Sequence, residues 1–152
     1  LREKQKLKRI YGIFEKQFKI YFREATKNKG NTADHLALIV KKRLDNVLYQ
    51  MGVTRSRTHA RQLIVHGHVK INNRRVNVPA YAVRPVEIIT FRDKEKIRTQ
   101  LAEIAAENAY RAVPGWISFD SQALQGEILA MPTVDDVKQP LQMQLIVEIA
   151  SR

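Results

Sequence analysis

The spacing of apolar residues changes at Gly67, and this change limits the folds open to the chain. Before Gly67, apolar residues recur every three or four positions, which is typical of helices that pack on one side. From Val69 onwards apolar and polar residues alternate, which is typical of short strands with one buried face. The sequence therefore predicts an α+β fold in which helices precede a small antiparallel sheet.

Three helices are predicted before Gly67. The first is one long helix that ends near Gly30, the second covers residues 33–51 with Thr32 as its N-cap, and the third covers residues 56–65. An apolar stripe on the first helix predicts its buried face. The stripe consists of Leu7, Ile10, Phe14, Phe18, Tyr21, Phe22 and Ala25.

Short strands are predicted after Gly67. Residues 70–72 and 75–78 are joined at Asn72-Asn73-Arg74, and asparagine tolerates the positive φ that a tight hairpin needs. The segments "VEIITF", "WISFD" and "GEILAM" predict three more strands, with a helix over residues 93–110 between the first two. The tail, residues 141–152, fits a helix or a strand.

The charge of the chain is large and uneven. The 152 residues hold 27 Lys and Arg against 15 Asp and Glu, a net charge of +12. Residues 1–98 carry a net charge of +16, and residues 99–152 carry −4. An anionic partner, nucleic acid first among them, is therefore expected to meet the first two thirds of the chain.

The residue inventory disfavours several other kinds of partner and activity. The absence of cysteine excludes disulfides, thiolate metal sites and cysteine nucleophiles. No apolar run reaches the roughly 18 residues of a membrane span, and no signal peptide pattern occurs, so no membrane partner is expected. The first helix is basic and amphipathic, which would also suit a membrane surface, but its apolar stripe is favoured as core.

The histidines give little support to catalysis or metal binding. The sequence has four, His35, His59, His66 and His68, and no phosphate-binding loop or nucleophile elbow. No carboxylate or thiolate lies near His59, His66 and His68 to complete a zinc site. We therefore predict no catalytic residue, no metal and no cofactor, and a protein that is not an enzyme.

A dense cationic stretch favours a polyanion as the partner. Residues 41–75 contain nine Lys and Arg and a single acid, Asp45. Arg57 and Arg61 are one helical turn apart, a spacing at which like charges destabilise a helix unless something compensates them. A solvated cationic face is the alternative. Helix and hairpin would share one surface, which suits folded RNA better than the DNA major groove, although composition leaves both open.

The run "RLDNVLYQMGVTRSRTHARQLIVHGHVKINNRRVNVPAY" closely resembles the S4 RNA-binding domain. Several families share that domain, including pseudouridine synthases. The beginning of the chain, "LREKQKLKRIYGIFEKQF", and the segments "VPGWISFD" and "QLIVEIASR" are similar to the bacterial and organellar family of small-subunit ribosomal protein S4. This second resemblance spans nearly the whole chain.

The resemblance implies a helical domain of residues 1–38 and 134–152 with an α/β S4 domain, residues 39–133, inserted in it. It implies direct binding to the 5′ domain of small-subunit ribosomal RNA and a role early in assembly of the small subunit. It also implies a place beside the fifth small-subunit protein, where messenger RNA enters, with an effect on decoding accuracy, in a cytoplasmic or organellar ribosome. The alternative is the RNA-anchoring part of an RNA-modifying enzyme such as a pseudouridine synthase.

We predict two groups of RNA-binding residues. The amino-terminal patch consists of Arg2, Lys4, Lys6, Lys8 and Arg9. The central patch consists of Lys42, Arg43, Arg55, Ser56, Arg57, Arg61, Gln62, His66, His68, Lys70, Asn72 and Arg74. Asp45 is predicted to pair with Arg57 or Arg61 and to orient it towards RNA.

Overall fold

A computed structural model describes residues 11–27 and 31–133 and divides the chain into two compact units. The described part of the first unit is residues 11–27, 31–41 and 132–133, and the second unit is residues 42–131. The tail lies outside the described residues, so its helical form and the domain boundaries implied by the resemblance remain predictions.

The first unit contains the helices α1 (Glu15–Lys27) and α2 (Thr32–Lys41). Their buried faces meet through side chains such as Phe18, Tyr21 and Leu36. The side chain that caps α2 is Asn31 rather than the predicted Thr32, because Asn31 Oδ1 accepts the N–H of Ala33 at 2.9 Å.

One part of the predicted apolar stripe is wrong. Gly12 has a φ of 65°, and α1 begins only at Glu15, so the predicted helix is interrupted there. The interruption buries Ile13 and leaves the side chain of Phe14 81% exposed. The residues of the stripe before residue 11 lie outside the described part of the chain.

The second unit begins with α3 (Leu44–Met51) and α4 (Arg57–Val65). The single helix predicted over 33–51 is therefore two helices, because Arg43 is extended, with φ −64° and ψ 139°. The N–H groups of Leu44 and Asp45 donate to the carbonyls of Tyr81 at 2.9 Å and Pro79 at 3.2 Å. These carbonyls satisfy donors that the first turn of a helix leaves without partners.

A five-stranded antiparallel sheet and one further helix complete the second unit. The elements are β1 (Val69–Ile71), β2 (Arg74–Arg75), β3 (Ile88–Phe91), α5 (Glu95–Glu107), β4 (Ile117–Asp120) and β5 (Gln125–Ile128), and the strand order is β2-β1-β3-β5-β4. The predicted hairpin turn is confirmed, since Asn72 and Asn73 have φ values of 51° and 68°.

The sheet has a buried face and an outward face. Val69 and Ile71 of β1, Ile89 of β3 and Ile128 of β5 point into a core shared with α3, α4 and α5. Lys70 lies opposite Arg75 of β2 and Thr90 of β3 in the register, and these positions alternate with the buried ones. The alternation therefore sends Lys70 of β1 and Arg75 of β2 away from the core.

The loop between β2 and β3 is tied down by a buried carboxylate. Glu87 accepts a hydrogen bond from the Tyr81 hydroxyl at 2.5 Å and another from the N–H of Arg84 at 2.6 Å. Burial and the hydrogen bond to Glu87 raise the pKa of Tyr81. The loop is thus held in the position from which its carbonyls meet the start of α3.

Candidate nucleic-acid interface

Helix α4 carries the central pair of predicted RNA-binding arginines. Ser56 caps the helix, with its Oγ accepting the N–H of His59 at 2.9 Å. Ala60 and Ile64 are fully buried, which leaves Arg57 and Arg61 on the part of the helix that is not core. Both arginines are half-buried rather than fully exposed.

Arg57 is held in place by α3. Its Nε donates to Oδ1 of the buried Asn46 at 3.0 Å, and its guanidinium carbon lies 4.5 Å from the centroid of the Tyr49 ring. A guanidinium over an aromatic ring gains cation–π stabilisation. Arg61 donates to Thr58 Oγ1 at 3.2 Å within its own helix. Arg57 is therefore the more firmly positioned of the two.

The predicted pairing of Asp45 with Arg57 or Arg61 is wrong. Asp45 instead accepts two hydrogen bonds from Arg43, at 3.2 Å from Nε and 3.0 Å from Nη2. Both side chains are buried, with 7% of Arg43 and 1% of Asp45 exposed. A bidentate pair at the start of α3 fixes the chain there. Arg43 is thus a positioning residue, and we leave it out of the surface offered to RNA.

The turn His66-Gly67-His68 brings a second set of cations together. Gly67 has a φ of 79°, which lets the chain pass from the end of α4 at Val65 to the start of β1 at Val69. The N–H of Arg92 donates to the His68 carbonyl at 2.8 Å, which continues the pairing of β1 with β3. Arg75 lies over the turn, with Cδ and Nη1 each 3.8 Å from the place where a Cβ on Gly67 would stand.

The crowding of cations around this turn affects the pKa of His68. Burial lowers the pKa of His68 most, and Lys94, Arg92, His66 and Arg75 lower it further. The charged groups that lower the pKa of His68 are therefore all basic. His68 Nδ1 is buried and has no hydrogen-bond partner in the described part of the chain. A concentration of positive charge of this kind is the electrostatic footprint of a polyanion site.

Arg75, Arg92 and Lys94 are absent from the predicted set, although they surround His68. Local sequence patterns do not show which strand pairs with β1, so Arg92 and Lys94 look remote from the turn. The alternation of β3 could have identified Arg92, because it places Arg92 on the same outward face as Thr90. We call His66, His68, Arg75, Arg92 and Lys94 the His68 cluster.

The remaining residues of the central patch divide into surface and structural positions. Gln62 and Arg74 are exposed, and Lys42 and Lys70 are half-buried. Asn72 holds the hairpin, since its Oδ1 accepts the N–H of Ile88 at 3.0 Å. Arg55 is exposed and pairs loosely with Glu107 at 3.7 Å. The amino-terminal patch lies outside the described residues.

Neither a metal site nor a membrane span is found among the residues that the structure describes. No group of three or more potential ligands from His, Asp and Glu occurs in that part of the chain. The rings of His66 and His68 lie edge to face with centroids 6.3 Å apart, whereas His59 Nδ1 accepts the N–H of Arg55 at 3.2 Å. Burial, and then Arg55, lower the pKa of His59.

No described helix has the length and apolar composition needed to cross a bilayer.

Two short helices followed by an antiparallel hairpin, with basic residues on the shared surface, define an RNA-binding domain of the S4 type. A family model described as "S4 domain" matches residues 42–89, and one described as "Ribosomal protein S4/S9 N-terminal domain" matches residues 1–41. The two matches meet at the boundary between the structural units.

Curated relatives extend the similarity to the whole chain. The chain is 45% identical to the small ribosomal subunit protein uS4A of Symbiobacterium thermophilum, over all of this chain and 73% of the relative. It is 43% identical, with the same coverage, to the uS4 proteins of Pelotomaculum thermopropionicum and Halothermothrix orenii. The chain belongs to the uS4 family of ribosomal proteins. Members of this family are structural proteins, so the chain is not an enzyme, and the alternative of an RNA-modifying enzyme is set aside.

Proposed function

We propose that the chain binds small-subunit ribosomal RNA directly, through exposed and half-buried cations of the second unit. The observation that carries this proposal is the His68 cluster, in which cations from the turn, from β2 and from the end of β3 converge on one histidine. RNA phosphates would supply negative charge to balance these cations.

Arg57 and Arg61 are the residues best suited to hold phosphates on the helix side. A guanidinium can donate two parallel hydrogen bonds to one phosphate, which an ammonium cannot do. Asn46 and Tyr49 fix Arg57 before RNA arrives, so less side-chain freedom is lost on binding. Phosphate contacts of this kind position the protein, and the shape of the folded RNA specifies the site.

The finer parts of the function rest on family resemblance. They are binding to the 5′ domain of the ribosomal RNA, a role early in small-subunit assembly, contact with the fifth small-subunit protein, and an influence on messenger RNA and decoding accuracy. The amino-terminal patch would add a second contact with the RNA. The choice between a cytoplasmic and an organellar ribosome is also a prediction from the resemblance.

Filter binding to the 5′ domain RNA over a salt series tests the proposal. If six to ten phosphates are neutralised, affinity should fall by about three to five decades between roughly 50 and 200 mM salt, by analogy with duplex DNA. Arg92→Gln should weaken binding and reduce the salt slope. Arg84→Gln removes one exposed cation at the other end of β3 and should change neither. A nearly flat salt dependence would contradict the proposed surface.

A further inference from the structure

Arg111 lies beside the central patch although it belongs to the acidic last third of the sequence. Its guanidinium carbon is 4.9 Å from the centroid of the Tyr49 ring, and that of Arg57 is 4.5 Å from the same centroid. We call Arg57, Tyr49 and Arg111 the Tyr49 stack. Two cations of like sign therefore share one aromatic ring at the edge of the proposed RNA surface.

The contacts of Arg111 within the described residues leave much of its binding capacity unused. The Nη2 atom of Arg111 donates to the Tyr49 carbonyl at 3.5 Å, which is at the long limit for a hydrogen bond. Arg111 forms no ion pair with a carboxylate in the described part of the chain. A guanidinium has five N–H donors. Arg111 thus presents donors and positive charge that a fold-stabilising role alone does not require.

A cleft of about 190 Å³ opens next to Arg111, between the ends of α3 and α5 and the end of β4. Met51, Val113 and Phe119 supply apolar walls, and Asn108 and Ser121 supply polar groups. Asn108 is fixed there because its Nδ2 donates to the Gly52 carbonyl at 2.9 Å. The cleft therefore combines apolar surfaces, hydrogen-bonding edges and one planar cation.

We propose that this cleft receives one unstacked base of the bound RNA and that Arg111 holds the adjoining phosphate. A nucleobase has apolar faces and polar edges, and unstacked bases in RNA loops are recognised by stacking and by hydrogen bonds to those edges. Arg111 lines the cleft and shares the Tyr49 ring with Arg57, which connects the cleft to the proposed surface. The inference therefore rests on the proposed function and deepens it. A free nucleotide shares this chemistry, but the continuity with Arg57 favours a nucleotide within an RNA strand.

Filling the cleft tests this inference without removing any charge. Ala109 is exposed and lines the cleft, so Ala109→Trp should occupy the space of the base. The matched control is Ala102→Trp, at an exposed residue of α5 seven positions earlier that does not line the cleft. Ala109→Trp should lower affinity for the 5′ domain RNA by about tenfold, within the range measured for the loss of one stacked base. Ala102→Trp should bind like the wild-type protein.

Arg111→Lys separates the planar hydrogen-bonding geometry of Arg111 from its charge. This variant keeps the cation but loses the planar fork, so RNA affinity should fall several-fold while affinity for heparin, a polyanion without bases, is retained. Thermal melting checks the fold of each variant. If Ala109→Trp fails to fold, Ser121→Tyr fills the same cleft from the end of β4 and carries the same expectation.

The outcomes distinguish this inference from the proposed function. If the wild-type protein does not prefer the 5′ domain RNA to heparin, the proposed function itself is wrong. If the wild-type protein prefers RNA and both the cleft-filling variant and Arg111→Lys bind it normally, only the inference is wrong. If adenosine monophosphate crosslinks to the cleft, and filling the cleft abolishes that crosslink but leaves RNA affinity intact, the site takes small nucleotides and the inference is also wrong.

Discussion

The guanidinium of Arg43 and the carboxylate of Asp45 form a buried, two-fold hydrogen-bonded pair at the start of α3. The pair spans only two residues, yet it lies where the chain passes from one compact unit to the other. It also explains why the single acid of the cationic stretch does not screen the surface cations. The negative charge of Asp45 is paired with Arg43 inside the fold.

Asp45→Asn should destabilise the second unit by about 3–5 kcal/mol, because it removes the carboxylate that pairs with the buried guanidinium of Arg43. Denaturant unfolding would measure the change. Glu103→Gln, the same acid-to-amide change at an exposed position on α5, should stay within about 0.5 kcal/mol of the wild-type protein. An unchanged midpoint for Asp45→Asn would show that the ion pair is unimportant for stability.

Arg57→Ala and Arg61→Ala should differ in their effect on the fold. Loss of the Arg57 hydrogen bond to the buried Asn46 should cost about 1–2 kcal/mol of unfolding free energy, whereas Arg61→Ala should cost about 0.5 kcal/mol or less. Each should lose roughly 1–3 kcal/mol of RNA affinity, since hydrogen bonds to charged groups are the stronger ones. Melting of the free protein and filter binding at fixed salt separate the two effects. Wild-type RNA affinity in Arg61→Ala would remove that residue from the interface.

Stability should fall as the pH is lowered through 6.5. The pKa of His68 is below its ordinary value of 6.5 in the folded protein, so the unfolded chain binds more protons than the folded one below that pH. The loss should begin near pH 6.5 and continue down to the folded-state pKa. Denaturant unfolding between pH 8 and pH 5 measures it, and His68→Gln should flatten part of the profile. His59 should account for part of the remaining slope, since its pKa is also lowered. A His68→Gln profile identical to that of the wild-type protein would contradict the assignment.

Val86→Gly should stabilise the protein by about 1 kcal/mol. Val86 follows Pro85 in the turn closed by the Glu87 N–H and the Arg84 carbonyl at 3.3 Å, and its φ of 71° is one that β-branched residues rarely adopt. Its side chain is 70% exposed, so little packing is lost. The control is Val78→Gly at another exposed valine whose φ is not positive, where no gain is expected. Thermal melting distinguishes them, and a lower melting temperature for Val86→Gly would show that the valine side chain is needed.

Local patterns predicted most elements of the second unit, because they depend on neighbouring residues. Gly67 and the pair Asn72-Asn73 adopt positive φ, as their residue types allow. The break before α3 could not be predicted in this way. The apolar spacing continues from Val40 to Leu44, and what ends the helix is hydrogen bonding to a loop more than thirty residues away.

The candidate site could also be predicted only in part, because some of its contacts join residues that are distant in sequence. Arg57 and Arg61 follow from helical spacing, but the partner of Asp45 and the neighbours of His68 depend on contacts that are distant in sequence. Arg111 is the clearest case. Its region is acidic, so composition pointed away from it, and only the folded arrangement places it on Tyr49.

The hydrogen bonds from the start of α3 to the carbonyls of Pro79 and Tyr81 also set an order of events during synthesis. The chain is made from its amino terminus, so residues 44 and 45 emerge well before their partners exist. The first turn of α3 is completed only after Tyr81 has been added and the loop has closed. A nascent chain that ends before this residue would carry a frayed first turn of α3, the turn that contains Asn46, the hydrogen-bond partner of Arg57.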